Sequence, residues 1–174
     1  TSYTYGERLR AFGNASAPLD QVAAIINDLR TSGHSRRAVA ALWHPAQDSG
    51  SSNPPCLNLV QCRLREDAAG MRLHLTAYFR SHDIYRAWAM NAFGLRALQA
   101  FITEQLADAG AMQVGDLVII SHSAHVYAHD WEATYALLDQ HYHPLDARLR
   151  RDPRGSFVVR LEPPAIVVQH YTPA

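Results

Sequence analysis

The sequence predicts an α+β fold, and three observations carry that prediction. Two stretches at 57–65 and 71–79, mainly apolar and strand-like, flank a short turn at 66–70, the pattern of paired strands. The stretch at 84–109 has the length and composition of a long helix, interrupted only by Gly94, at a cost of roughly 1 kcal/mol. The run Leu117-Val118-Ile119-Ile120 reads as a buried strand continuing through residues 121–127.

The remaining elements follow in order. Residues 1–13 are short and mixed, with Thr4-Tyr5-Gly6 expected as a turn. The opening at Thr1, in mid-pattern, points to a portion lost upstream. Residues 18–30 read as a helix, because Val22, Ile25, Ile26 and Leu29 fall on one face, and Gly33 ends it. A strand is expected at 38–43, then a polar loop at 44–55 rich in serine, proline and glycine. A shorter helix at 130–138, an arginine-rich connection at 144–155 and strands at 157–161 and 166–171 complete a single domain, 1–174, without internal repeats.

Composition narrows the function. Sixteen cationic and sixteen acidic residues cancel, which argues against a nucleic-acid polymer as partner. No apolar run approaches the roughly 20 residues of a membrane span, and no signal peptide opens the chain, so a soluble, cytoplasmic protein is expected. All the cationic side chains are arginine, whose planar forks suit phosphate and carboxylate. The two cysteines, Cys56 and Cys62, lie on one extended segment about 20 Å apart, too far for a disulfide.

Several residues carry candidate chemistry beside a plainer structural reading. Pro54 and Pro55 bring the chain to Cys56 extended and stiff, the way a fold presents a thiol nucleophile; most free cysteines are simply small buried hydrophobes. Arg36 and Arg37 read as solvated surface or as a phosphate clamp. In Arg80-Ser81-His82-Asp83, Asp83 has the position of a helix N-cap, while Arg80 and Ser81 could meet an anion near that helix start. His122, His125 and His129 would share a face only in a helix; the strand-like run before them scatters the three, and no metal is expected. Asn91 reads as a tolerated polar residue in a helix, and Trp43, Trp88 and Trp131 as packing aromatics.

Together and in this order the motifs resemble the thymidylate synthase family. The pieces are Tyr5-Gly6, Ser35-Arg36-Arg37, Trp43, Pro54-Pro55-Cys56, Gln61, Arg80-Ser81-x-Asp83, Asn91, Gly115-Asp116 and His125-x-Tyr127. Pro-Pro-Cys-Leu, the Asn91–Leu95 segment and residues 121–127 look more like its archaeal-type and pyrimidine nucleotide hydroxymethylase branches. The chain departs from the family's usual pattern at Leu57 (histidine), Phe79 (glutamine), Ser123 (aspartate) and Ala87-Trp88-Ala89 (glycine-leucine-proline). The family's N-terminal phosphate loop, proton-transfer glutamate and C-terminal closing tail have no counterpart. The chain is thus expected to be a nucleotide-binding core trimmed at both ends.

The resemblance implies a mixed sheet packed against a long central helix, in a homodimer joined through the sheets. It implies one-carbon transfer from 5,10-methylenetetrahydrofolate to carbon 5 of dUMP, giving dTMP. The alternative is a hydroxymethylase of CMP, dCMP or dUMP that ends the reaction with water. Cys56 would add to carbon 6 of the pyrimidine, turning carbon 5 into an enolate-like nucleophile. Arg80 would favour the thiolate and hold the phosphate, with Ser81 beside it. Arg36 and Arg37 would reach that phosphate from the other protomer. Asn91 would match the base edge with its amide, His125 and Tyr127 the sugar hydroxyl. Gln61 would lie near the thiol, Asp83 would orient the pterin, and Tyr5 matches an active-site tyrosine.

Overall fold

The computed structural model describes residues 3–13, 16–68, 70–107, 112–149, 156–163 and 165–171. The chain divides into two compact units, Thr1–Val126 and Tyr127–Ala174. The first contains helices α1 (Tyr5–Arg10), α2 (Gln21–Thr31), α3 (Pro45–Asp48) and α4 (Trp88–Leu106). Its strands are β1 (Val39–Ala41), β2 (Leu57–Asp67), β3 (Gly70–Phe79), β4 (His82–Asp83), β5 (Met112–Ser121) and β6 (Ala124–His125). A sheet in the order β1-β2-β3-β5 is antiparallel across its first two pairings and parallel between β3 and β5. The predicted α+β class and mixed sheet are therefore what the chain forms.

Period-two alternation explains why one sheet face is sealed. Val60, Cys62 and Leu64 of β2 and Leu73, Leu75, Ala77 and Phe79 of β3 are buried, packed with Val22, Ile25 and Leu29 of α2 and Leu95, Ile102 and Leu106 of α4. The opposite face is open. β5 is not the buried strand its four consecutive apolar residues predict: Leu117 and Ile119 pack on the core, whereas Val118 and Ile120 are nearly half exposed. Within the first unit, α4 is the helix packed on β5, on the Leu117 and Ile119 side.

Other boundaries moved for local reasons. Residues 4–6 are not a turn but the start of α1. Thr4 caps it by accepting from the Glu7 N–H at 3.0 Å, and Thr4-x-x-Glu7 is a capping-box pattern present in the sequence. Asp20 caps α2 through the Ala23 N–H at 2.9 Å, so this helix starts at Gln21 and not at 18. The loop at 44–55 contains α3, with Pro45 in its first turn. Asp83 caps no helix directly. Its Oδ1 accepts from the Tyr85 and Arg86 N–H groups, both at 3.0 Å, folding 84–87 into a turn that delays α4 to Trp88. The predicted end of that helix at 108–109 lies outside the described residues.

The second unit holds a short 3-10 turn (Ala128–Asp130), α5 (Trp131–Leu149), β7 (Ser156–Glu162) and β8 (Ala165–Tyr171). Both strands are predicted from the sequence, and in the structure they pair antiparallel. α5 runs beyond the predicted end at 138 and through Pro144, and most of the expected connection, 150–155, lies outside the described residues.

Candidate active site

Strand register builds the site. Leu57 pairs with Phe79, so the next residues outward on the two strands, Cys56 and Arg80, meet at the end of the sheet. A register shift between Leu57 and Leu59 makes Asn58 a bulge, and bulges re-aim side chains beside sites. The Asn58 side chain accepts from the Arg80 N–H at 2.9 Å, and its carbonyl accepts from Leu42 N and Trp43 N at 2.7 and 3.3 Å.

Arg80 is held as a clamp. Its Nε donates to the Pro55 carbonyl at 3.0 Å and its Nη2 to the Pro54 carbonyl at 2.9 Å. The same Nη2 lies 3.9 Å from Cys56 Sγ, and the guanidinium stands over the Trp43 ring at 5.9 Å. The two prolines fix the backbone direction, and their carbonyls fix the arginine. Three of its five N–H groups are thereby used, leaving those of Nη1 for an anion. Cys56 is half-buried. Cys62, by contrast, is sealed in the core, and burial pushes its thiol up to about 12. Both thiols are free, as their spacing predicts.

Tyr5 closes one side of the thiol. Its hydroxyl accepts from the Leu57 N–H at 3.4 Å, and burial, then the nearby Cys56, hold its pKa above the ordinary value. Tyr3 is raised for the same leading reasons. A cleft of about 320 Å³ is lined by Tyr5, Leu57, Phe79, Asn91, Gly94 and their apolar neighbours, reaching Cys56 only through the adjacent Leu57 and Tyr5.

Ser81 sits in the link between β3 and β4, and the β4–β6 ladder pairs Asp83 with His125. The Asn91 side chain faces His82: Asn91 Nδ2 is 3.1 Å from His82 Nε2. Gln61 is not brought to Cys56. Its Nε2 donates to the Arg36 carbonyl at 3.0 Å, five residues along β2 from the sulfur, or about 17 Å. Arg36 and Arg37 are exposed, and Arg37 pairs loosely with Asp28 at 3.2 Å. Tyr127 belongs to the second unit, where its half-exposed ring stacks on His129 at 5.5 Å.

Two further residues, His82 and Asn58, shape the site. His82, inside the Arg80–Asp83 motif, is fully buried, and its ring lies flat on Phe79 at 3.9 Å. Asn58 was masked by the apolar run around it, where a lone polar residue just after a candidate nucleophile was the available signal. No group of three or more His, Cys, Asp or Glu side chains among the described residues is arranged to hold a metal ion. Among those residues no helix is long and apolar enough to cross a membrane.

A mixed sheet backed by a long helix, with a cysteine and an arginine at one end of adjacent strands, is the frame on which the sequence motifs fall. The thymidylate synthase family model matches residues 2–174. The chain belongs to the thymidylate synthase family. It is 38% identical over 130 residues to a protein of Methanosarcina mazei named "Putative thymidylate synthase", covering 75% of this chain and 55% of that one. Proteins of the same name from Methanothermobacter marburgensis and Methanopyrus kandleri are 44% and 36% identical, over 72% and 74% of this chain and 51% and 56% of theirs. The chain spans about half the length of the curated relatives it matches.

Proposed function

We propose that this chain is the nucleotide-binding core of an enzyme that transfers a one-carbon unit from 5,10-methylenetetrahydrofolate to carbon 5 of dUMP, yielding dTMP. The observation that carries this reading is the Cys56–Arg80 pair: a half-buried thiol behind two prolines, with a guanidinium 3.9 Å from the sulfur and locked to the carbonyls before it. The thiolate adds to carbon 6 and carbon 5 attacks the donor's methylene carbon. Loss of the carbon-5 proton then expels tetrahydrofolate and leaves an exocyclic methylene. Hydride from that tetrahydrofolate, which becomes dihydrofolate, reduces it to methyl as the Cys56 sulfur leaves carbon 6. Arg80 stabilises the sulfur's charge and offers Nη1 to the phosphate, with Ser81 adjacent. The Asn91 amide meets the base, His125 the sugar, Asp83 the pterin, and Tyr5 the thiol's neighbourhood.

The active form is a homodimer. Val39, Leu59, Val118 and Ile120 are all exposed on the sheet's open face, and an apolar strip of this kind supports a second copy of the chain as its cover. Arg36 and Arg37, displaced along β2 from their own thiol, then serve the partner's phosphate. The proposal makes no use of a metal, nucleic acid or membrane.

The test is release of tritium from carbon 5 of labelled dUMP in the presence of methylenetetrahydrofolate, with product analysis. Release that Cys56→Ser abolishes, with a methylated product, supports the reading. A hydroxymethyl product instead assigns the water-terminated reaction, and release undiminished by Cys56→Ser removes the covalent step.

A further inference from the structure

His82, itself buried, joins two part-buried polar side chains, Ser121 and Asn91. Its Nδ1 is 2.8 Å from Ser121 Oγ and its Nε2 is 3.1 Å from Asn91 Nδ2. The ring itself has no freedom, being fully buried and stacked 3.9 Å from Phe79 at an interplanar angle of 7°. With Asn91 Nδ2, a donor only, facing the ring, Nε2 is the accepting nitrogen, and Nδ1 carries the proton and donates it to Ser121 Oγ. Burial lowers the proton affinity of the ring; of the charged groups near it, Asp83 raises it and His125 lowers it, and the net direction is down. The neutral ring this leaves has one acceptor, and that acceptor holds Asn91.

The consequence falls on the base. An asparagine amide presents one acceptor and one donor side by side, and a half-turn about its last bond exchanges them. Uracil shows a ring N–H beside a carbonyl, cytosine a bare ring nitrogen beside an amino group, so the two bases ask for opposite orders. A freely turning asparagine satisfies both. With one N–H committed to His82, a turn would set the amide oxygen against the lone pair of Nε2, so it costs this part-buried hydrogen bond or a coupled move of the ring proton from Nδ1 to Nε2.

We propose that His82 is a specificity-positioning residue: through Ser121 and its own bare Nε2 it locks the Asn91 amide in one orientation, and so fixes which pyrimidine edge the cleft accepts. This rests on the nucleotide reading above, and two measurements keep the two apart. The first needs no ligand. Nitrogen NMR of the imidazole rings in the intact chain reads His82 protonated at Nδ1 and bare at Nε2, and Ser121→Ala moves the ring toward the other tautomer; an Nε2–H ring in the unaltered chain overturns the lock.

The second is calorimetric titration with dUMP and with dCMP. The unaltered chain prefers dUMP. His82→Phe keeps the stack on Phe79 but lacks both nitrogens, and it narrows the ratio of the two affinities by about 10-fold. His82→Gln, which can return an acceptor oxygen toward Asn91, restores the ratio, whereas a purely structural role would leave the ratio unmoved in all variants. An unchanged ratio in His82→Phe, or a narrowed one that His82→Gln does not recover, overturns the proposal. Failure of both nucleotides to bind the unaltered chain sinks the nucleotide reading and the selectivity built on it, while the NMR result still decides whether Asn91 is locked.

Discussion

Arg80 should be replaceable by lysine only at a cost, and the size of that cost follows from its hydrogen bonds. Nε and Nη2 donate to the Pro55 and Pro54 carbonyls at 3.0 and 2.9 Å, a two-point grip that a lysine ammonium on a flexible stem cannot reproduce. Hydrogen bonds to a charged group contribute about 1.5–3 kcal/mol each. Arg80→Ala loses both, together with the contact over Trp43, for about 3 kcal/mol or more, and Arg80→Lys loses about half of that. At roughly 2–4 °C per kcal/mol for a chain of this size, melting falls by about 6–12 °C in the alanine variant. The assay pairs thermal melting with alkylation of the folded protein. Cys62 is sealed, its thiol pushed up to about 12, so the alkylated residue is Cys56. Alkylation by an anionic reagent, iodoacetate, slows in Arg80→Ala, because the cation 3.9 Å from the sulfur no longer attracts it, and recovers in Arg80→Lys. A lysine variant that melts with the unaltered protein would refute the two-carbonyl grip; alkylation unchanged in Arg80→Ala would refute the electrostatic half.

Three further outcomes test the frame around the site. Gln99, fully buried, donates its two Nε2 hydrogens to the Leu73 and Asp116 carbonyls at 2.6 and 3.0 Å where the β3–β5 register shifts, so Gln99→Leu should cost about 3 kcal/mol in denaturant titration. Gly115→Ala should destabilise by about 1–3 kcal/mol in the same titration, since a Cβ there would stand 2.9 Å from the Leu73 carbonyl oxygen and 3.0 Å from the His74 ring. Burial alone would push the Asp48 carboxyl up, but the His44 N–H and the Arg8 guanidinium outweigh it and hold it below the ordinary 3.8. A depressed folded-state value means this stabilisation is complete above pH 3.8 and is lost as pH falls through the lower, folded value. Asp48→Asn should therefore flatten the acid limb of a melting-temperature profile, and a limb of unchanged slope would exclude the pair as its source.

Much of the fold was legible because the signals were local. The 57–65 and 71–79 strands announce themselves by apolar alternation and a turn, and the register that follows places Arg80 opposite Cys56. The Thr4-x-x-Glu7 capping box was equally local and was read as a turn because Gly6 stood inside it. What could not be read depends on neighbours distant in sequence. Four apolar residues at 117–120 look alike whether one or two faces are covered, and only the packing of α4 on one side shows that Val118 and Ile120 face out. His82 is separated from Ser121 by 39 residues, so its partnership exists only once β4 and β6 pair beside the end of β5.

The placement of Arg36 and Arg37 carries the last step. The Gln61 amide fixes the Arg36 carbonyl at 3.0 Å, and β1 pairs with β2 so that Val39 lies opposite Gln61 and Ala41 opposite Leu59. The arginine pair thus sits at the far end of β1 from Trp43, while Arg80 is pinned at the near end by the Pro54 and Pro55 carbonyls. Along β2 the backbone separation is about 17 Å, which sets the pair well away from its own chain's Cys56 and Arg80. In the proposed dimer, the pair serves the phosphate of the partner's site. It follows that Arg36→Ala mixed with Cys56→Ser should regain activity in heterodimers, each of which has one site with an intact thiol and an intact partner arginine. Each variant alone should be impaired, and a mixture no better than the sum of its parts would place the arginines outside the phosphate site.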